Sequence, residues 1–263
     1  MKHRFEFALA LAGITGLVGC GSSESSKEAK KEDVKRVEKP AAPVITDASK
    51  LGSISGKVKF NGEKPVMKTL SMDAVPQCAR QHPEPVKSEE IVVNTNGTLK
   101  NTFIWIKSGA PEGSYATPSA AVGLDQKGCM YSPHVIGVMV DQTVEFTNSD
   151  PTNHNIHPMP NANAEWNESQ APGSEKKPKK FSKPETMIPV KCNVHPWMKA
   201  YVNVSPHPFF AVTGDDGSYT IKGLPAGEYT LEAVHERLGK LETRVKVDAM
   251  GAATADFGFN EVQ

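Results

Sequence analysis

The chain has 263 residues, and its 30 lysines and arginines balance its 30 aspartates and glutamates, so the formal net charge at pH 7 is zero. This length allows one or two domains. The balanced charge gives no global electrostatic reason for the chain to bind nucleic acid or acidic substrates. With 21 glycines, 20 prolines and no long helical pattern, the composition is that of an ordinary globular protein.

Residues 1–19 have the pattern of an export signal. Lys2 and Arg4 precede an apolar stretch, 7–19, that is too short to span a membrane. The following Leu17-Val18-Gly19-Cys20 resembles a bacterial lipobox, which implies cleavage before Cys20 and lipidation of its thiol. We therefore expect a membrane-anchored lipoprotein in the periplasm or at the cell surface. The outer membrane is favoured because Gly21, not aspartate, follows Cys20; a plain secretory signal with a chance cysteine is the alternative.

Residues 20–50 are mostly charged, small or proline, and such a composition cannot bury a core. We expect a disordered tether there. From Ser53 onward the patterns favour strands, with Asn61-Gly62 and Asn96-Gly97 as hairpin turns. The predicted strands cover 54–60, 91–93, 99–106, 135–140, 143–147, 187–191, 200–204, 209–213, 218–221, 229–234 and 241–247.

Two separated segments carry a first resemblance. SISGKVKFNGEKP (53–65) and VTGDDGSYTIKGLPAGEYTLEAV (212–234) resemble the carboxypeptidase regulatory-like (prealbumin-like) β-sandwich. About 145 residues separate them, which implies a split sandwich with another module inserted into it or packed against it. We expect this sandwich to comprise 51–85 and 207–263. The resemblance says little about function.

The stretch from Asn148 to Lys183 is long, polar and loop-like, and loops of this length are usually functional or disordered. Five lysines near its end form a group that is more often a solvated loop but could steer an acidic partner. They are Lys176, Lys177, Lys179, Lys180 and Lys183.

The segment Cys192-Asn193-Val194-His195-Pro196-Trp197-Met198 places a thiol, an imidazole and a thioether three residues apart. Soft sulfur ligands with imidazole suit copper, and two histidines, a cysteine and a weak axial methionine form the blue-copper electron-transfer site. The segment lacks one imidazole, which the upstream His154-Asn155-Ile156-His157 can supply. The sequence therefore predicts a copper site.

This region also resembles the cupredoxin (blue copper) family, in particular its amicyanin- and plastocyanin-like members. The matching segments are DQTVEFTNSD (141–150), HNIH (154–157) and CNVHPWM (192–198). The resemblance implies a Greek-key β-sandwich, here assigned to 86–206, that holds one type 1 copper. It implies His154, Cys192 and His195 as equatorial ligands, Met198 as the axial ligand and His195 as a ligand at the solvent edge. The fold class predicted for the whole chain is all-β.

Other histidines compete for the metal. His157 is the main rival of His154, but residues three apart on an extended segment face opposite sides, so one of the two should reach the metal. We favour His154. His134 begins a strand and is expected to be structural, as are His207 and His235, which could also be surface residues.

Two cysteines remain after Cys20 and Cys192 are assigned. Cys78 and Cys129 form an even pair in a compartment expected to be oxidising, which predicts a disulfide. The competing hypothesis places Cys78 with His82 in a second metal site.

These patterns together predict a blue-copper protein that carries single electrons and is not an enzyme. Its partners are expected to be a redox protein, such as a cytochrome or a dehydrogenase, and the membrane through the lipid anchor, without nucleic acid. The alternatives are an envelope scaffold or adhesion lipoprotein with a vestigial site, a copper chaperone or storage protein, and a small enzyme with an open copper position.

Overall fold

The structure is a computed structural model that describes residues 50–261. The described part is all-β, as predicted, and contains one short helix, α1 (Pro76–Ala79). Its strands are β1 (Gly52–Asn61), β2 (Phe103–Ser108), β3 (Val122–Lys127), β4 (Met130–Ser132), β5 (Val135–Met139), β6 (Val144–Asn148), β7 (His154–Pro158), β8 (Glu168–Gln170), β9 (Lys177–Lys179), β10 (Glu185–Lys191), β11 (Lys199–Ser205), β12 (Phe210–Val212), β13 (Ser218–Leu224), β14 (Gly227–His235), β15 (Gly239–Val247), β16 (Ala252–Thr254) and β17 (Phe257–Asn260).

Two sheets enclose a first core, and we call this unit sandwich A. One sheet has the order β13-β1-β16, with β17 also paired to β1, and the other has the order β12-β2-β14-β15. Successive side chains of a strand point to opposite faces, so Ile54, Val58 and Phe60 of β1 enter the core while Lys57 and Lys59 face outward. Both sheets contribute to this core, which includes Leu99, Ile104, Ile106, Tyr219, Ile221, Leu231 and Phe259.

Two further sheets enclose a second core, and we call this unit sandwich B. Its five-stranded sheet has the order β5-β11-β10-β7-β8, and its four-stranded sheet has the order β4-β3-β6-β9. The core between them includes Leu124, Phe146, Ile156, Ile188, Val190 and Val202. This sandwich carries every residue that we predicted as a metal ligand.

The sandwiches contact each other closely at Gly137 of β5. A Cβ atom at this position would lie 2.8 Å from the ring of Phe210 and 2.9 Å from that of Phe103. These rings belong to β12 and β2 of sandwich A, so any larger residue at 137 would push the two units apart. Glycine is therefore required here by the close approach of the two units.

The two segments that resemble a split sandwich lie side by side. β1 pairs antiparallel with β13, with Ile54 opposite Ile221 and Gly56 opposite Tyr219. A long chain excursion through sandwich B thus returns to the same sheet. This pairing joins the two segments but assigns no family to sandwich A.

The two cores divide the chain at other points than the predicted bounds. β2 lies within 86–206, yet it pairs with β14 and supplies Ile104 and Ile106 to sandwich A. Met72 and Cys78 lie within 51–85, yet they pack in the core of sandwich B. The chain therefore crosses between the sandwiches more often than a single insertion requires. The division into two domains remains a prediction.

The predicted hairpin turn at Asn61-Gly62 is wrong. β1 pairs with β13, β16 and β17, all of them distant in sequence. The predicted strands on either side of Asp141-Gln142 both form, but β5 pairs with β11 while β6 pairs with β3 and β9. Short-range turn signals describe the local backbone, whereas burial of each strand in a core determines its partner.

The stretch from Asn148 to Lys183 is not one long loop, because β7, β8 and β9 lie within it. Its buried polar side chains are hydrogen-bonded, which makes the strands compatible with a polar sequence. Asn148 Nδ2 donates to the Gln170 carbonyl at 2.8 Å, and Gln170 Nε2 donates to the Phe146 carbonyl at 3.1 Å.

The predicted export signal, the lipidation of Cys20 and the predicted tether, except its last residue, lie outside the described residues. Within residues 50–261, no helix is long and apolar enough to cross a membrane.

Candidate metal centre

The four predicted ligands lie at one end of neighbouring strands. His154 is the first residue of β7, Cys192 directly follows β10, and Met198 directly precedes β11. These three strands are adjacent in the order β11-β10-β7. His195 lies in the connection between β10 and β11. The adjacency of the strands, not their order in the sequence, brings the four residues together.

Three donor atoms converge. One donor atom from each of His154, Cys192 and His195 lies within 4.8 Å of the others. The two Nδ1 atoms of the histidines are 2.9 Å apart, and Cys192 Sγ lies 3.7 Å from His195 Nδ1. All three side chains are at most 3% exposed. A buried set of one sulfur and two imidazole nitrogens matches the donor types that copper takes in blue-copper sites.

The loop from Cys192 to Met198 is closed by its own main chain. The Met198 amide donates to the His195 carbonyl at 2.9 Å, and the Cys192 amide donates to the Met198 carbonyl at 3.4 Å. The Met198 side chain is fully buried in the core of sandwich B. These bonds fix the spacing of the donors from within the loop.

The Cys192 sulfur is held in a form suited to metal binding. The Asn155 amide donates to Cys192 Sγ at 3.3 Å. Burial alone would raise the pKa of this thiol, but the neighbouring His154 and main-chain N–H donors outweigh burial and lower the pKa. Since the thiolate is the metal ligand, the surroundings favour the competent state. Among the described residues, Cys192 is the one free cysteine.

Asp150 orients His154. Its Oδ2 lies 2.8 Å from His154 Nε2, and both side chains are fully buried. Burial would lower the pKa of His154, but the Asp150 carboxylate and the Cys192 sulfur raise it. The Nε2–H group donates to Asp150, which leaves Nδ1 free to face His195 and Cys192. Such carboxylate–histidine pairs fix the tautomer and ring orientation of metal ligands.

The same carboxylate caps a tight turn between β3 and β4. The amides of Gly128 and Cys129 donate to Asp150 Oδ1 and Oδ2 at 2.6 and 2.7 Å. Both turn residues have positive φ, 65° and 53°. Burial would raise the pKa of Asp150, but the bonds from His154 and from these two amides lower it. Sequence reasoning assigned no role to Asp150, although this residue ends the matching segment DQTVEFTNSD and lies four residues before His154.

The predicted disulfide is confirmed, and it lies against the candidate metal centre. Cys78 and Cys129 are bonded, with Cα atoms 5.5 Å apart. This excludes Cys78 as a thiolate partner of His82, whose Nε2 instead lies 2.6 Å from the Gly128 carbonyl. Cys78 Sγ lies 3.6 Å from His195 Nε2.

His195 is not at the solvent edge, which corrects the expectation drawn from the family resemblance. His195 is only 1% exposed, because the disulfide covers the Nε2 side of its ring. The Trp197 ring covers a further side, with its centroid 5.2 Å from that of His195, and Trp197 Nε1 donates to the Cys129 carbonyl at 3.0 Å.

The competing histidines lie elsewhere. His157 Nδ1 contacts Asn193 Oδ1 at 3.0 Å and its Nε2 contacts Glu165 at 2.7 Å. His134 contacts the Lys199 carbonyl and Glu236. His207 and His235 are buried against side chains of sandwich A, including Trp105 and Phe259 respectively. The structure groups His154, and none of these four, with Cys192 and His195.

The predicted lysine group is largely paired with acidic side chains. Lys176 contacts Glu145 at 2.8 Å, and Lys177 and Lys179 both contact Glu168. Lys179 also lies over the ring of Trp166. These ion pairs reduce the positive field that steering of an acidic partner requires.

No model of a known protein family matches this chain, and no curated protein sequence matches it. Parts of solved structures are similar to it. They include a copper-containing nitrite reductase from Thermus scotoductus (23% identity, TM-score 0.31, covering 38% of this chain and 25% of that chain). A Cu(I) amicyanin variant is also similar (21% identity, TM-score 0.29, covering 39% of this chain and 98% of that chain). So is a purple cupredoxin from Nitrosopumilus maritimus (22% identity, TM-score 0.28, covering 32% of this chain and 99% of that chain). Structural similarity with TM-scores this low assigns neither a family nor a function to the chain.

Proposed function

We propose that this chain is a type 1 (blue) copper protein that carries single electrons between redox partners outside the cytoplasm. One observation carries the proposal: His154 Nδ1, Cys192 Sγ and His195 Nδ1 converge in a buried cluster at one end of a β-sandwich. His154, Cys192 and His195 would hold the copper, with Met198 as the axial ligand. When bound, copper would supply a one-electron couple.

The surrounding residues suit this task. Asp150 holds His154 in one tautomer, and the Asn155 amide hydrogen-bonds the Cys192 sulfur. Hydrogen bonds to the sulfur and the axial ligand tune the potential of such sites. A rigid strand framework limits rearrangement between oxidation states, which favours rapid electron exchange.

Burial of the donors also bears on the alternatives. A chaperone or storage protein must exchange copper readily, whereas a carrier keeps it while cycling. His154 and His195 are at most 1% exposed, which favours retention. We therefore favour the carrier over the chaperone, and we propose that the protein is not an enzyme. A redox protein, such as a cytochrome or a dehydrogenase, is the proposed partner.

The histidine pair of β7 provides the test. We expect His154→Ala to abolish the visible thiolate-to-copper band or to make it depend on added imidazole. His157→Ala is the matched control on the same strand, and it should keep the band because His157 contacts Asn193 and Glu165. Visible absorbance during copper titration of the three proteins measures both effects. If His157→Ala loses the band and His154→Ala keeps it, the proposed ligand set is wrong.

A further inference from the structure

The side of His195 that faces away from Cys192 is closed by protein. Cys78 Sγ lies 3.6 Å from His195 Nε2, and both disulfide cysteines are fully buried. No other partner of Nε2 is present among the described residues. The imidazole edge that would otherwise meet solvent thus faces a sulfur atom.

The disulfide is fixed to the same framework as the metal centre. Cys78 lies in α1, whose first residue is Pro76, and Cys129 lies in the turn between β3 and β4. That turn donates two amide hydrogen bonds to Asp150, which in turn orients His154. The disulfide that covers His195 and the carboxylate that orients His154 are therefore connected through the turn between β3 and β4.

Trp197 leads from the centre to the surface. Its ring lies 5.2 Å from that of His195 and is partly exposed. It lines an open cavity of about 360 Å³ together with Pro196, His134 and Lys199. Lys199 pairs with Glu90 at 3.2 Å, so opposite charges meet at this cavity.

From this arrangement we propose that the Cys78–Cys129 disulfide positions His195 and seals its outer edge, so that electrons enter and leave the metal centre through the ring of Trp197. The electron route through Trp197, which we call the route, rests on the proposed function. The covering of His195 by the disulfide, which we call the seal, does not. The partner is a redox protein that brings its cofactor to the Trp197 cavity. Because opposite charges are paired there, exchange should depend only weakly on ionic strength.

The seal is tested on the metal-free protein by carbethoxylation of histidines with diethyl pyrocarbonate, mapped by mass spectrometry. With the disulfide intact, we expect His157, whose side chain is 18% exposed, to react and His195 to be protected. In the Cys78→Ser/Cys129→Ser variant, His195 should react while His207, buried in sandwich A, stays protected and shows that the fold is retained. Reaction of His195 in the intact protein, or its protection in the variant, overturns the seal.

The route is tested by electron self-exchange of the copper-loaded protein, with copies of the chain as the probe. Trp197→Leu should keep the visible band but slow exchange roughly five- to thirtyfold, the size expected when an aromatic anchor at a contact is truncated. Trp197→Phe retains a ring against His195 and should restore most of the rate. Trp166→Leu is the matched control, since it removes a partly buried indole that packs on Phe146 and leaves Trp197 in place.

Exchange at the wild-type rate in Trp197→Leu overturns the route. A wild-type protein without the blue-copper band overturns the proposed function and the route together, while the carbethoxylation result still decides the seal.

Discussion

Asp150 lies outside the proposed ligand set but contacts one of its members, His154. Its carboxylate joins a turn of one sheet of sandwich B to a metal-facing histidine of the other sheet. Loss of such a partner typically weakens metal affinity by about 10–100-fold, because the imidazole loses its fixed orientation. The residue therefore acts through His154.

We expect Asp150→Asn to lower the affinity for copper by about 10–100-fold while the ligands stay in place. Asp125→Asn is the matched control, because Asp125 accepts hydrogen bonds from Thr147 and Ser149 on the same sandwich. Competition titration with a chelator of known affinity measures both variants. Equal affinities of Asp150→Asn and the wild type would show that this carboxylate does not position His154.

At the residue scale, the sequence indicates the proposed ligands better than it indicates the residues that support them. Cys192, His195 and Met198 are recognisable because they lie in one short loop. Alternation along an extended segment indicates that only one of His154 and His157 faces the metal, and the family resemblance favours His154. Asp150 has no comparable signal, since its role depends on contacts between two sheets. The cover over His195 also depends on a disulfide between distant segments, so the family resemblance led to the wrong solvent exposure for His195.

At the scale of the elements, the disulfide ties α1 to the turn between β3 and β4. It joins residues 51 positions apart. Closing a loop of this length restricts the unfolded chain, which gives about 4 kcal/mol of stability in the chain-entropy model. We expect Cys78→Ala/Cys129→Ala to lower the free energy of unfolding by roughly this amount. Urea denaturation of the metal-free proteins measures it, and an unchanged midpoint with an unchanged slope would contradict the expectation.

The end of β14 carries a pH-dependent contribution to stability. His235 is 3% exposed, and its Nδ1 accepts hydrogen bonds from the amides of Arg237 and Leu238. Burial, helped by the nearby His134, lowers the pKa of His235 from 6.5 to about 4. Between these pH values the unfolded chain binds the extra proton, so stability rises with pH.

We therefore expect the free energy of unfolding to fall as the pH is lowered from 6.5 to about 4. Part of this fall should vanish in His235→Gln, which cannot take up the proton. Denaturant titrations of both proteins across this pH range measure the difference. Parallel curves for the two proteins would show that His235 does not titrate in this way.

The elements themselves were partly predictable. Strong apolar alternation identified β1, and apolar runs identified β5, β10 and β14 close to their observed bounds. β7, β8 and β9 were not predicted, because their segments are short and largely polar. The polar side chain that β8 buries, Gln170, has hydrogen-bond partners that the sequence does not show. Pairing was harder still, since β1 joins strands that are more than 150 residues away.

At the scale of the whole molecule, the predicted anchor should bring the copper centre to partners at a membrane. If residues 20–50 act as the predicted tether, they would give an effective concentration of millimolar order at the membrane. We expect Cys20→Ser to release protein with a normal copper spectrum but poor electron delivery in cells. Fractionation and a cellular electron-transfer assay test this, with Cys20→Ala as a second unlipidated variant. If the released protein delivered electrons as well as the anchored protein, membrane tethering would not be needed for its function.

The proposed copper centre is best tested by the visible and paramagnetic-resonance spectra of the copper-titrated wild type and of Cys192→Ser. The proposed centre predicts one copper per chain and an intense thiolate-to-copper band in the wild type. It predicts no such band in Cys192→Ser. A colourless wild-type protein without tight copper stoichiometry, or a variant that keeps the band, would show that Cys192 does not hold a type 1 copper in this chain.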